Sequence, residues 1–166
     1  MNYTLFQTFF AGLLFSLPLL LFTSCGEERP EEQPPTGRTL DYSGTVWFLE
    51  EAEADTVTII EVAVADDESS RSVGLMDVYD MPMGSGMLFV FDDEAERSFW
   101  MANTPIALDI IFVNADRKII RIHQNTRPYS ERNIYSEGPA QFVVEVNAGF
   151  VLRNDIREGM RIDFKY

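Results

Sequence analysis

A chain of 166 residues, 46% of them apolar, is long enough for one domain with a sizeable buried core. Its 27 acidic against 13 basic side chains give a formal net charge of −14. That argues against nucleic acid and against electrostatic docking on anionic lipid, since both need clustered Lys and Arg. One cysteine, Cys25, and one histidine, His123, exclude an internal disulfide, a thiolate metal cluster and a His-rich zinc site.

Met1 to Ser24 carry no charge, and the run from Leu5 to Phe22 is almost wholly apolar. It ends in "FTSC", so that Thr23 and Ser24 place small side chains before the only cysteine. This order resembles a bacterial lipoprotein signal peptide. The resemblance implies removal of residues 1–24, a lipid on Cys25, and a place in the cell envelope outside the cytoplasm, with the membrane as partner through that lipid. Two features depart from it: no Lys or Arg precedes the apolar run, and Phe22 stands where Leu is usual. The alternative is an uncleaved anchor, the run being near the lower length limit for a membrane span. Gly26 to Arg38 is rich in Glu and Pro and reads as an extended, disordered spacer, so residues 25–40 form a linker ahead of a single domain over 41–166.

Within the domain, "TVWFL" (Thr45 to Leu49) and "TVTIIEVAVA" (Thr56 to Ala65) read as antiparallel strands around an acidic turn. Asp66 or Asp67 can cap a short helix whose apolar side holds Val73 and Met76. "GMLFVF" (Gly86 to Phe91) and "SFWMAN" (Ser98 to Asn103) are expected as two further strands, the second ending at a turn before Pro105. "LDIIFV" and "KIIRIH" flank "NADR" as a hairpin. Gln124 to Pro139 reads as a polar loop, "QFVVEVN" as a strand, "AGFVLRNDI" as one or two helical turns and "MRIDFKY" as a last strand. About eight strands with two short helices predict a mainly β domain, a β-sandwich or barrel.

The ordered set "GLM", "GMLFVF", "FWMANTPIALDIIFV", "IIRIH" and "VVEVNAGF" resembles the bacterial and archaeal domain-of-unknown-function family numbered 192, over roughly Thr58 to Ile162. The resemblance implies a compact jelly-roll-like sandwich, a frequent export signal and no established activity. The matching positions include Gly74, Met76, Gly86, Met87, Phe89, Phe91, Trp100, Met101, Asn103, Asp109, Phe112, Glu145 and Gly149. Val78 and Ala102 stand where the family often has basic residues, and Met160 follows Gly159 where an acid is common.

Four of the seven methionines fall between Met76 and Met87. Thioethers suit cuprous copper, and Met81, Met83 and His123 are the residues that could hold it; the default is that methionine fills gaps in an aromatic core. Trp100, Asn103, Asp109, His123 and Glu145 are the candidate binding residues. Asn103 and Asp109 either bond a ligand beside Trp100 or satisfy backbone donors in "NTPIALD". Arg121 and His123 alternate with Ile120 and Ile122; Glu145 and Asn147 alternate with Phe142, Val144 and Val146. The plain expectation is a solvated sheet face, and the functional one a shallow binding surface. No catalytic set is visible: there is no G-x-S-x-G elbow and no phosphate-cradling glycine loop. The leading expectation is a lipid-anchored envelope protein acting as a binding or interaction module. A copper-handling protein and an enzyme acting on envelope carbohydrate, with Tyr129 or Tyr135 stacking a sugar, are the alternatives.

Overall fold

The structure is a computed structural model and describes residues 37–50 and 55–166. The expected signal, the lipidated Cys25 and the spacer up to residue 36 lie outside the described residues. Among the described residues seven strands form one sheet: β1 (Gly44–Leu49), β2 (Thr56–Ala65), β3 (Ser85–Phe99), β4 (Leu108–Val113), β5 (Ile119–Thr126), β6 (Ile134–Asn147) and β7 (Arg161–Lys165). The short helices are α1 (Glu68–Val73) and α2 (Phe150–Arg153). The fold is mainly β, as the sequence predicts.

The spatial order is β5-β4-β6-β3-β2-β1-β7. All pairs are antiparallel except β2 and β3, which run parallel because α1 carries the chain between them. The sheet curls until its two ends meet. Lys118 bridges Arg161, Ile119 N–H donates to the Met160 carbonyl at 2.8 Å, and Ile162 N–H donates to the Arg117 carbonyl at 2.9 Å. Pairing the two edges in this way leaves fewer backbone groups open to foreign strands.

Alternation sorts the side chains onto two faces. Val46, Ile60, Leu88, Ile111, Ile119, Val144 and Ile162, one from each strand, meet in one cluster that α2 joins through Phe150 and Val151. A cluster drawing on every strand of a curled sheet lies inside the curl. The second cluster, with Ala63, Met87, Phe89, Ile110, Phe112 and Val143, covers the outer face of β2, β3, β4 and β6. It is roofed by Leu75, Val78 and Met81 from the segment after α1. The chain is docked here from Arg38: its N–H donates to the Asp77 carbonyl at 2.8 Å, its guanidinium donates to the Gly74 and Met76 carbonyls, and Leu40 packs on the same cluster.

Three local expectations change. "GMLFVF" and "SFWMAN" do not form separate strands. The stretch between them bulges at Phe91 to Glu94 and rejoins the ladder, with Ala95 opposite Ala140 and Glu96 opposite Pro139, so one 15-residue β3 reduces the count to seven. The polar loop is shorter than expected, because β5 runs on to Thr126 and β6 begins at Ile134. In β5 the register shifts between Phe112 and Val113, so Ile120 packs on the outer cluster while Ile122 packs on the inner one. One extra residue in a ladder moves the rest of the strand to the other face.

Candidate functional site

The helix that roofs the outer face has little to hold it by itself. At six residues α1 is too short to persist without help. Its start is fixed by Asp67, whose carboxylate accepts from the Ser69 and Ser70 amides at 2.8 and 3.0 Å, while the Ser70 hydroxyl donates back at 2.7 Å. These bonds hold the Asp67 pKa below its ordinary value, the Ser70 hydroxyl contributing most. Its end is Gly74, at φ +49°, a conformation that side chains rarely adopt. The expected apolar side does not anchor it, since Val73 is exposed. Arg71 does: its Nη1 donates to the Val90 carbonyl at 2.8 Å and to the Asp66 carbonyl at 2.7 Å, and its guanidinium lies 5.2 Å from the Phe91 ring centroid.

Beneath α1 is a cavity of about 320 Å³. Its walls include Met76, Phe89, Phe99 and Trp100, and Glu68 and Arg71 border it from the helix. Phe99 meets Phe89 edge-on at 5.0 Å and Phe112 at 5.7 Å, which fixes the ring orientations. Trp100 is 53% exposed and stands at the mouth. Glu145, only 4% exposed, reaches the cavity from β6, where its register places it between Met87 and Ile110. No hydrogen bond or ion pair reaches its carboxyl group among the described residues. Burial pushes its pKa up to about 8. The solvated sheet face expected around Glu145 is therefore a covered one.

Of the five candidate binding residues, Trp100 and Glu145 line this cavity. Asn103 holds a positive-φ turn (φ +52°) with an exposed side chain, and its carbonyl accepts from the Asp77 amide at 2.9 Å. Its neighbours Ala102 and Thr104 line the cavity. Asp109 is fully buried and accepts from the Asn125 amide at 2.8 Å and the Val151 amide at 3.0 Å, tying β5 and α2 to β4. His123 is half-buried, edge-on to Phe112 at 5.9 Å, with Nε2 2.8 Å from the Tyr135 carbonyl. Met81 is buried in the roof, whereas Met83 is 54% exposed with its sulfur 4.0 Å from Arg153 Nη2.

Sequence reasoning does not single out Arg71 or the Phe89–Phe99 wall as site residues. The period-two placement of Met87, Phe89 and Phe91 is a signal for a common face; that Glu145 faces them depends on a β3–β6 pairing across more than fifty positions.

The family model for DUF192, described as "Uncharacterized ACR", matches residues 49–164. The crystal structure of a Sinorhizobium meliloti protein named as a candidate transcription regulator is similar at 35% identity and a TM-score of 0.70, covering 76% of this chain and 98% of that one. A Novosphingobium aromaticivorans protein of unknown function is similar at 30% identity and a TM-score of 0.67, covering 72% of this chain and 83% of that one. No curated protein matches the chain.

Proposed function

We propose that this chain, which belongs to the DUF192 family, is an exported, lipid-anchored envelope protein whose β-domain binds a small organic ligand in the cavity beneath α1. One observation carries the binding part: a buried carboxyl group, without a protein partner among the described residues, facing a cavity with aromatic walls. A group of this kind costs several kcal/mol to ionise in place, and a ligand that completes it recovers part of that cost (about 1–3 kcal/mol for an unmet buried group). Apolar walls with one or two placed polar groups are the usual make-up of a small-molecule site. The envelope part rests on the uncharged apolar run ending at Cys25. Regulation of transcription is not carried over from the Sinorhizobium protein, because a net charge of −14 opposes phosphate binding.

Two measurements test this. Mass spectrometry of the native protein is expected to show a chain beginning at an acylated Cys25; a freely soluble chain retaining Met1 to Ser24 overturns the anchor. For binding, the full chain in mild detergent, with ¹³C-methyl-labelled methionine, is titrated with three phenylethyl probes bearing a cationic, an uncharged and an anionic head. A saturable shift of the Met76 resonance with at least one probe, lost when Ala102→Trp fills the cavity, is expected. Absence of saturation with all three overturns the pocket.

A further inference from the structure

Resting on that pocket, we propose that its ligand is an organic cation: an ammonium or quaternary ammonium group placed against Glu145, with an apolar body held between Phe89, Phe99 and Trp100. Four observations converge on this. The Glu145 carboxyl group is buried, without a protein partner among the described residues, and reaches into the cavity. A positive charge favours its ionised form more strongly than an uncharged hydroxyl does. The walls carry aromatic rings, and an aromatic face attracts a cation and repels an anion.

The only cationic side chain lining the cavity among the described residues is also engaged. Arg71 donates through Nη1 to the Asp66 and Val90 carbonyls and lies over Phe91, which holds its guanidinium against the protein. Arg97 approaches the same Phe91 ring at 4.0 Å, so the other aromatic rings of the lining are Phe89, Phe99 and Trp100. At longer range, a net charge of −14 enriches cations around the whole molecule. A metal ion fits less well: no group of three or more His, Cys, Asp or Glu side chains that could hold one occurs among the described residues, and hard cations ask for several oxygens.

The chemistry of this site makes binding depend on proton release. A cation bound beside the carboxyl group favours its ionised form, so complex formation in neutral solution displaces the Glu145 proton. With a quaternary probe, which does not titrate, affinity therefore rises as the pH is raised toward about 8 and levels off above it. The other ionisable groups lining the cavity are Glu68 and Arg71, both on α1. Asp155→Asn, at an exposed carboxylate outside the cavity lining, serves as the control for a general surface-charge effect.

The three-probe titration decides the matter. Phenylethyl-trimethylammonium is expected to bind about tenfold or more tightly than 2-phenylethanol, with 3-phenylpropionate weakest. In Glu145→Gln, which keeps the shape of the side chain, the preference and its rise with pH both disappear while 2-phenylethanol still binds; in Asp155→Asn both persist. Equal or tighter binding of the alcohol or the carboxylate overturns the cation assignment and leaves the pocket standing. A preference unchanged in Glu145→Gln overturns it as well. Binding of none of the probes removes the pocket and this inference together. Circular dichroism of Glu145→Gln checks that the fold is kept. Should it fail to fold, the wild-type pH profile decides: a flat profile for the quaternary probe between pH 6 and about 8 overturns the proposal.

Discussion

Asp109 and Glu145 are both buried carboxyl groups on adjacent strands, β4 and β6, and they face opposite sides of one sheet. Asp109 is matched by two backbone amides, from Asn125 and Val151, and so holds β5 and α2 in place. Glu145 has no such partners among the described residues, and its surroundings hold it uncharged well above the usual carboxylate range. The same chemical group is a fastening on the inner side and an open valence on the outer side. Burial alone does not tell structure from function; what separates them is whether the protein itself completes the hydrogen bonding.

The largest effect is expected at the fastening. Asp109→Ala strands two amide donors, and denaturant unfolding is expected to show a loss of about 4 kcal/mol. A loss under about 1 kcal/mol would erase the contrast. Next comes Glu145, where the sign runs the other way. Its folded pKa, about 8, lies above the ordinary 4.5, so the folded state holds a proton that the unfolded chain releases. The contribution is fully present below pH 4.5 and is lost as the pH rises toward about 8. Glu145→Gln removes this slope, and the difference between the two unfolding free energies is expected to change by about 2 to 3 kcal/mol between about pH 5 and pH 7. Parallel profiles for the two proteins would mean that the carboxyl group is solvated.

A third substitution probes β3, the neighbour of the strand that carries Glu145. A Cβ at Gly86 would meet the Glu145 carbonyl oxygen at 2.5 Å and the inner-face Val146 side chain at 3.0 Å. Gly86→Ala is expected to destabilise by about 2 kcal/mol, and to alter probe binding by displacing β6. The smallest effect belongs to the roof. Asp67→Ala removes the cap of α1, and faster hydrogen exchange at the Ser69 and Ser70 amides is expected with little change in global stability. Because its folded pKa is lowered, the cap's contribution is present above the ordinary 3.8 and fades as the pH falls below it.

Much of this architecture is legible in the residues. β-branched alternation marks β2 at its observed bounds, a capping aspartate marks α1, and "AGFVLRNDI" marks α2. The long β3 is not legible, because "DDEAER" is polar enough to pass for a loop. It stays in the ladder where Arg97 is pinned by the Ser136 hydroxyl, the Ala140 carbonyl and Asp93. Alternation places Glu145 opposite an apolar face, yet its covering comes from α1 and the segment after it, far away in sequence. Alternation tells which residues share a face and is silent on what lies over that face. Asp109 shows the same limit: its two donors stand 16 and 42 residues away, so a local turn bond and a distant tie look alike in the chain.

The meeting of the sheet's two ends has a consequence for biogenesis. β1 and β7 are neighbours in space although nearly the whole domain separates them along the chain, and the seam at Lys118 and Arg161 forms only when β7 is in place. A chain emerging from a ribosome therefore cannot shut the cylinder until its far strand has been made, and such non-local closure is slow.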